Sequence, residues 1–150
     1  WMEKAGGSIV NMLADIWGGM PSMGHSGAAR GGVMNFTETA ACEWGASGVR
    51  VNAVAPGWVA SAGLDTYDQN YQDLLRDLQQ KVPLQRFGTE SELSSAVVYL
   101  LSPAAGFISG AVLRVDGGVP TARHTWTLQP ARNQFPYNGF PLYTPPKALS

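Results

Sequence analysis

The chain has 150 residues, 45% of them hydrophobic, enough to bury one domain-sized core. Only 14% are charged and the formal net charge is −1, so no basic surplus exists to neutralise a phosphate backbone, and no nucleic-acid partner is expected. Cys42 is the single cysteine, which excludes an internal disulfide framework and a cysteine-built metal centre and points to a reducing, cytoplasmic setting.

The opening Trp1-Met2-Glu3-Lys4 lacks the basic stretch and apolar run of a signal peptide. Ser8-Ile9-Val10-Asn11-Met12-Leu13, after Gly6-Gly7, is a short apolar run and predicts a buried strand. A helix is predicted from a cap at Ser22 to Trp44, with Val33, Thr37, Ala40, Ala41 and Trp44 recurring along one face. Gly48 ends it. Gly31 and Gly32 inside this helix cost about 1 kcal/mol each relative to Ala, so another backbone is expected to approach there, across an oligomer interface. Cys42, on the same helix, is read as a small buried residue.

Val49-Arg50-Val51-Asn52-Ala53-Val54-Ala55 predicts the second strand, stopped by Pro56-Gly57. Residues 66–80 predict a helix with Tyr67, Tyr71, Leu74, Leu75 and Leu78 on one side. Thr89 with Glu92 three residues on is a capping box, and Leu93, Ala96, Val97, Leu100 and Leu101 follow at helical spacing. Residues 93–113 carry no charge, but Pro103-Ala104-Ala105-Gly106 would break a membrane helix midway, so no span is expected. Ala111-Val112-Leu113-Arg114-Val115 is the last predicted strand, closed by Asp116-Gly117-Gly118.

Alternating strands and helices predict an α/β fold with a parallel sheet. In such sheets ligands bind beyond the carboxyl ends of the strands, here residues 13–16, 56–61 and 116–118. Residues 120–150 differ from this body (1–119). They carry Arg123, Arg132 and Lys147 with no acid, six of the ten prolines and five aromatics. An extended arm is expected, either frayed or strapped over the body or a neighbouring subunit, its aromatics seeking a surface to pack on.

Gly7-Ser8-Ile9-Val10-Asn11, Glu43-Trp44, the run from Gly48 through Pro56-Gly57-Trp58-Val59, Leu101-Ser102-Pro103, Phe107-Ile108-Ser109-Gly110 and Val115-Asp116-Gly117-Gly118 together resemble the C-terminal part of a short-chain dehydrogenase/reductase. The resemblance covers residues 3–119 and implies part of a Rossmann-type, doubly wound parallel sheet. It also implies an NAD- or NADP-dependent oxidoreductase, soluble and homo-oligomeric, with a small-molecule substrate. The family's first strand and glycine-rich phosphate turn have no counterpart here, so the 150-residue chain by itself is expected to be inactive, with the bare edge of its first strand prone to association.

By that resemblance Pro56-Gly57 is the turn beside the nicotinamide. Val59 is the residue whose backbone meets the carboxamide, and Ser61 stands where Thr is usual; Asn11 joins them on the cofactor side. The family's catalytic Tyr and Lys, four residues apart on the long helix, align with Ser26 and Arg30, and its Ser after the preceding strand falls at Leu13 or Ala14. A serine hydroxyl is a far weaker acid than a phenol, and an arginine stays charged but can grip oxygens with its planar fork. His25 is the alternative proton donor, or else a solvated side chain.

His25-Ser26-Gly27-Ala28-Ala29-Arg30 is similar to trans-2-enoyl-CoA reductases and to citronellol/citronellal dehydrogenase-like members. That likeness implies hydride transfer to or from an apolar alcohol/aldehyde or an enoyl thioester. Trp17, Met20, Met23, Trp58, Tyr67 and Tyr71 would line an apolar pocket, with residues 65–80 as a lid. The exchanged Tyr, Lys and Ser also admit a second reading, a catalytically inactive dehydrogenase-like binding module. No metal site is expected, since His25 and His124 stand far apart with no ligand cluster.

Overall fold

The alternation expected from the sequence is present in the computed structural model, which describes residues 5–66, 69–122, 125–139 and 146–147. The expectations resting on residues 1–4, Tyr67, Arg123, His124 and 148–150 lie outside those described. In chain order the elements are β1 (Gly7–Met12), α1 (Gly24–Trp44), β2 (Val49–Pro56), β3 (Val59–Ala60), α2 (Gln69–Lys81), β4 (Gly88–Thr89), α3 (Glu90–Leu101) and β5 (Val112–Val115). The backbone divides into two units: Trp1–Pro56 with Ala96–Arg114, and Gly57–Ser95 with Val115–Ser150.

The first unit is built around β2. A three-stranded sheet has the order β1-β2-β5, and β1 lies parallel to β2 in a register from Gly7 opposite Val49 to Met12 opposite Val54. Bonds between 51 and 110 and between 53 and 111 climb together, as parallel strands require. Val49, Val51, Asn52, Ala53, Val54 and Ala55 are all buried, which is why β2 reads as a continuous apolar run rather than an alternating one. Its one amide there is satisfied: Asn52 Nδ2 donates to the Ile108 carbonyl at 2.9 Å, and Ala111 N–H donates to Asn52 Oδ1 at 3.0 Å.

Helix α1 lays Ala40 and Ala41 on Val49, Val51 and Ile9, while Val33 and Met34 join Leu13, Ala53, Ala55, Trp17 and Val112. Several details depart from the sequence reading. Ser22 sits at φ 68°, a left-handed turn that cannot hold the extended N-cap geometry, so the helix starts at Gly24 behind Met23 with no side-chain cap. At the far end a 3-10 turn (Gly45–Ser47) intervenes before Gly48, whose φ of 72° suits glycine and stops the helix. Cys42 is exposed, since it falls off the Ala40–Ala41 face. A Cβ at Gly31 or Gly32 would meet nothing within 4 Å, so among the described residues no other backbone packs there.

The second unit holds a two-stranded parallel ribbon, β3 with β4 (Val59 opposite Gly88, Ala60 opposite Thr89). Its core is Ala60, Leu75, Val82 and Phe87, edged by Leu64, Tyr71, Leu78 and Val119. The apolar side of α2 is narrower than its spacing suggests: Leu75 is fully buried but Leu74 stays exposed. The capping box closes reciprocally at α3. Glu92 N–H donates to Thr89 Oγ1 (3.1 Å) and Thr89 N–H donates to Glu92 Oε2 (2.8 Å). Arg86 grips the same carboxylate with two N–H bonds of 2.7 and 2.8 Å.

Candidate active site

Two groups of residues carry the chemistry expected from the sequence, one in each unit. In the first unit, α1 sets Ser26 and Arg30 one turn apart, so their side chains share a face. Arg30 Nη1 donates to Ser26 Oγ at 2.6 Å, a short charge-assisted bond. Arg30 Nε is shielded from solvent and has no hydrogen-bond partner among the described residues.

The Ser26 hydroxyl accepts from Arg30, so its own proton is left to point at a second acceptor. His25 is exposed on the first turn of α1 and makes no hydrogen bond among the described residues. The residues are therefore paired as Ser26 with Arg30, and His25 stands apart.

Asn11, at the end of β1, donates from Nδ2 to Thr37 Oγ1 at 2.9 Å, and Thr37 Oγ1 donates to the Val33 carbonyl at 2.8 Å. Periodicity marked Thr37 only as a buried helix position; its pairing with Asn11 ties β1 to α1. Leu13 is core, with its N–H on the Val54 carbonyl, so no hydroxyl stands at that position. Asp15, two residues on, shapes the turn after β1: its N–H donates to the Pro56 carbonyl at 3.1 Å and its Oδ1 accepts the Trp17 N–H at 3.2 Å. Trp17 in turn lies under the Arg114 guanidinium, 5.4 Å from its ring centre. Its role is packing and cation support.

In the second unit Gly57 N–H donates to the Val115 carbonyl at 2.9 Å, and a Cβ there would come within 2.7 Å of Asp116 Cα. Only glycine permits that close crossing. Val59 is fixed by β3–β4 pairing, and the Ser61 carbonyl accepts from Leu64 N–H at 3.0 Å. Trp58 stacks on Phe87 at 5.9 Å, and Tyr71 packs into the core. Met23 is half exposed and Met20 lies against Gly27. The expected aromatic and methionine lining is thus largely core or surface within each unit.

A cleft of about 440 Å³ opens at the other end of β2, lined by Gly48, Val49, Arg50, Phe107 and Ser109. Arg50 donates there from Nη1 to the Ile108 carbonyl and from Nη2 to the Ser102 carbonyl, both at 3.2 Å, which ties the segment after α3 to β2. Among the described residues no helix is long and apolar enough to cross a membrane, and no group of three metal-ligating side chains gathers.

Residues 1–120 match the family model described as enoyl-(acyl carrier protein) reductase. The chain belongs to the short-chain dehydrogenase/reductase family. It is 40% identical over 124 residues to 2-(S)-hydroxypropyl-CoM dehydrogenase 3 of Xanthobacter autotrophicus, covering 79% of this chain and 48% of that protein. Among solved structures, the citronellol catabolism dehydrogenase (AtuB) of Pseudomonas aeruginosa PAO1 is 59% identical, with a TM-score of 0.66 over 79% of this chain and 44% of that one. A gluconate 5-dehydrogenase of Burkholderia cenocepacia J2315, solved with NADP and tartrate, is 28% identical with a TM-score of 0.70, over 81% of this chain and 48% of that one. The chain spans about half the length of the relatives it matches. These likenesses carry the short-chain dehydrogenase/reductase fold, with its parallel Rossmann-type sheet, for the body; the family match ends where the tail begins.

Proposed function

We propose that this chain supplies the nicotinamide and substrate portion of an NAD- or NADP-dependent oxidoreductase that reduces the carbon–carbon double bond of an enoyl thioester. The observation that carries the reading is the 2.6 Å contact between Arg30 and Ser26, one turn apart on the same face of α1. When bound, the nicotinamide supplies the hydride. Arg30 holds a fixed positive charge and cannot give up a proton at working pH, so it stabilises negative oxygen without acting as an acid. Ser26, polarised by the guanidinium, adds a second donor to the same acceptor.

Two donors beside a permanent cation suit an enolate oxygen, which needs holding rather than protonation, once hydride has reached the β-carbon. The α-carbon then takes its proton from water. Reduction of an aldehyde demands a proton on oxygen itself, for which neither side chain is a good acid. The apolar alcohol/aldehyde reading is therefore second, favoured only by the 59% identity to the citronellol catabolism dehydrogenase. By the family resemblance Pro56, Gly57, Val59 and Ser61 are assigned to the nicotinamide and its carboxamide, and Asn11 to cofactor binding.

In the full-length protein, Ser26→Ala should lower kcat for an enoyl thioester about tenfold, and Arg30→Ala by about a hundredfold or more. Full activity in both variants would move the chemistry elsewhere. Cofactor binding without turnover on either substrate class would make the protein the binding module instead.

A further inference from the structure

Beyond the family match, residues 129–137 are fastened to the second unit at both ends. Gln85 Nε2 donates to the Gln129 carbonyl at 2.8 Å, and Ala131 N–H donates to Gln85 Oε1 at 2.6 Å. One side-chain amide thus grips alternate residues of the tail much as a neighbouring strand would. Further on, Thr89 Oγ1 donates to the Tyr137 carbonyl at 2.9 Å and Tyr137 N–H donates to Glu92 Oε1 at 3.3 Å. The aromatics of this stretch do not do the holding: Phe135 and Tyr137 are 83% and 52% exposed. The attachment is polar and runs through the tail backbone.

Gln85 keeps an uncommon φ of 51°, with its N–H on the Val82 carbonyl at 2.7 Å. Gln85 and Thr89 bracket the short segment that makes the ribbon. Gly88 N–H donates to the Trp58 carbonyl at 2.9 Å and Gly88 pairs with Val59. A ribbon of two residue pairs is marginal by itself. Of the residues that clasp the tail, Thr89 is itself a ribbon residue, paired with Ala60 next to Val59, and Gln85 lies three residues before Gly88.

We propose that residues 129–137 are a strap that restrains the β3–β4 ribbon, making the tail a positioning element for the Val59 side of the site. The last step rests on the assignment of Val59 given under the proposed function. Gln85, Thr89 and Glu92 are its anchors, and none of them need touch substrate.

The test is amide hydrogen exchange on the full chain carrying Ala131→Pro, which removes one tail N–H and leaves every body residue intact, and on the chain lacking residues 125–150. Exchange at Gly88 should rise about tenfold or more in both, while Ala53 in β2 keeps its protection. Gln85→Glu, which retains the acceptor for Ala131 but loses the donor to Gln129, should fall between. Unchanged exchange at Gly88 after removal of the tail would overturn the strap, and so would an equal rise at Ala53. In the full-length protein Ala131→Pro should also weaken NADPH binding about threefold or more. A loosened ribbon with unaltered affinity would keep the strap and overturn its part in cofactor positioning.

Discussion

The two units reach order by different means. Around β2, apolar side chains fill both faces of a strand, and the one buried amide is satisfied twice by backbone. Around the ribbon, a small core of Ala60, Leu75, Val82 and Phe87 is supplemented by a carboxylate, Glu92, that collects Arg86, Thr89 and Tyr137. The first arrangement is hydrophobic and periodic, the second polar and assembled from residues far apart in sequence. The first construction is expected to open less readily than the second, which rests on few apolar contacts and on polar bonds near the surface.

The contrast breaks most sharply at Asn52. Asn52→Ala leaves the Ala111 N–H without its acceptor, while the Ile108 carbonyl keeps Arg50, and should cost about 2–3 kcal/mol in denaturant unfolding. A loss no larger than that of a surface change would mean that β2 is not the rigid element. Next comes Glu92→Gln, with an expected cost of about 1–2 kcal/mol, because Arg86 would be left half-buried without its charge partner.

Acid should reveal the same residue. Burial alone would raise the Glu92 carboxyl, but the bonds from Arg86, Thr89 and Tyr137 and the Arg86 charge more than offset it and hold it below its ordinary value. Its stabilising contribution is thus complete above the ordinary glutamate range and is lost as the pH falls through the lowered folded value. Stability measured against pH should fall less steeply below about pH 4.5 in Glu92→Gln than in the native chain. Parallel curves would assign the acid sensitivity to other carboxylates. The smallest effect belongs to Gly31→Ala and Gly32→Ala, each expected to stabilise by about 0.5–1 kcal/mol, since nothing lies within 4 Å of the added carbon. Destabilisation, or a change in mass by light scattering, would place a second copy of the chain against that helix face.

The two regions were also unequally legible. Strand β2, helix α3 and the capping box at Thr89 and Glu92 follow from apolar runs and fixed spacings, because each depends on neighbours along the chain. The start of α1 does not: Ser22 has a capping side chain, but the turn before it sets a positive φ that removes the capping geometry. Trp44 shares the period of Ala40 and Ala41 yet ends up on the surface against Phe36, 5.9 Å away edge to face. Ser26 and Arg30 were legible through helical spacing and family resemblance. The short bond that Arg30 makes to Ser26 and the clasp of Gln85 on the tail were not, since both depend on side-chain placement that no local pattern encodes.

The central claim is that Ser26 and Arg30 hold an anionic oxygen while hydride moves to carbon. The most direct measurement is kcat for NADPH- or NADH-dependent reduction of a 2-enoyl thioester by the full-length protein, native against Arg30→Ala. The account predicts a fall of about a hundredfold or more that Arg30→Lys repairs only in part, because an ammonium lacks the fork. Undiminished turnover in Arg30→Ala would contradict it.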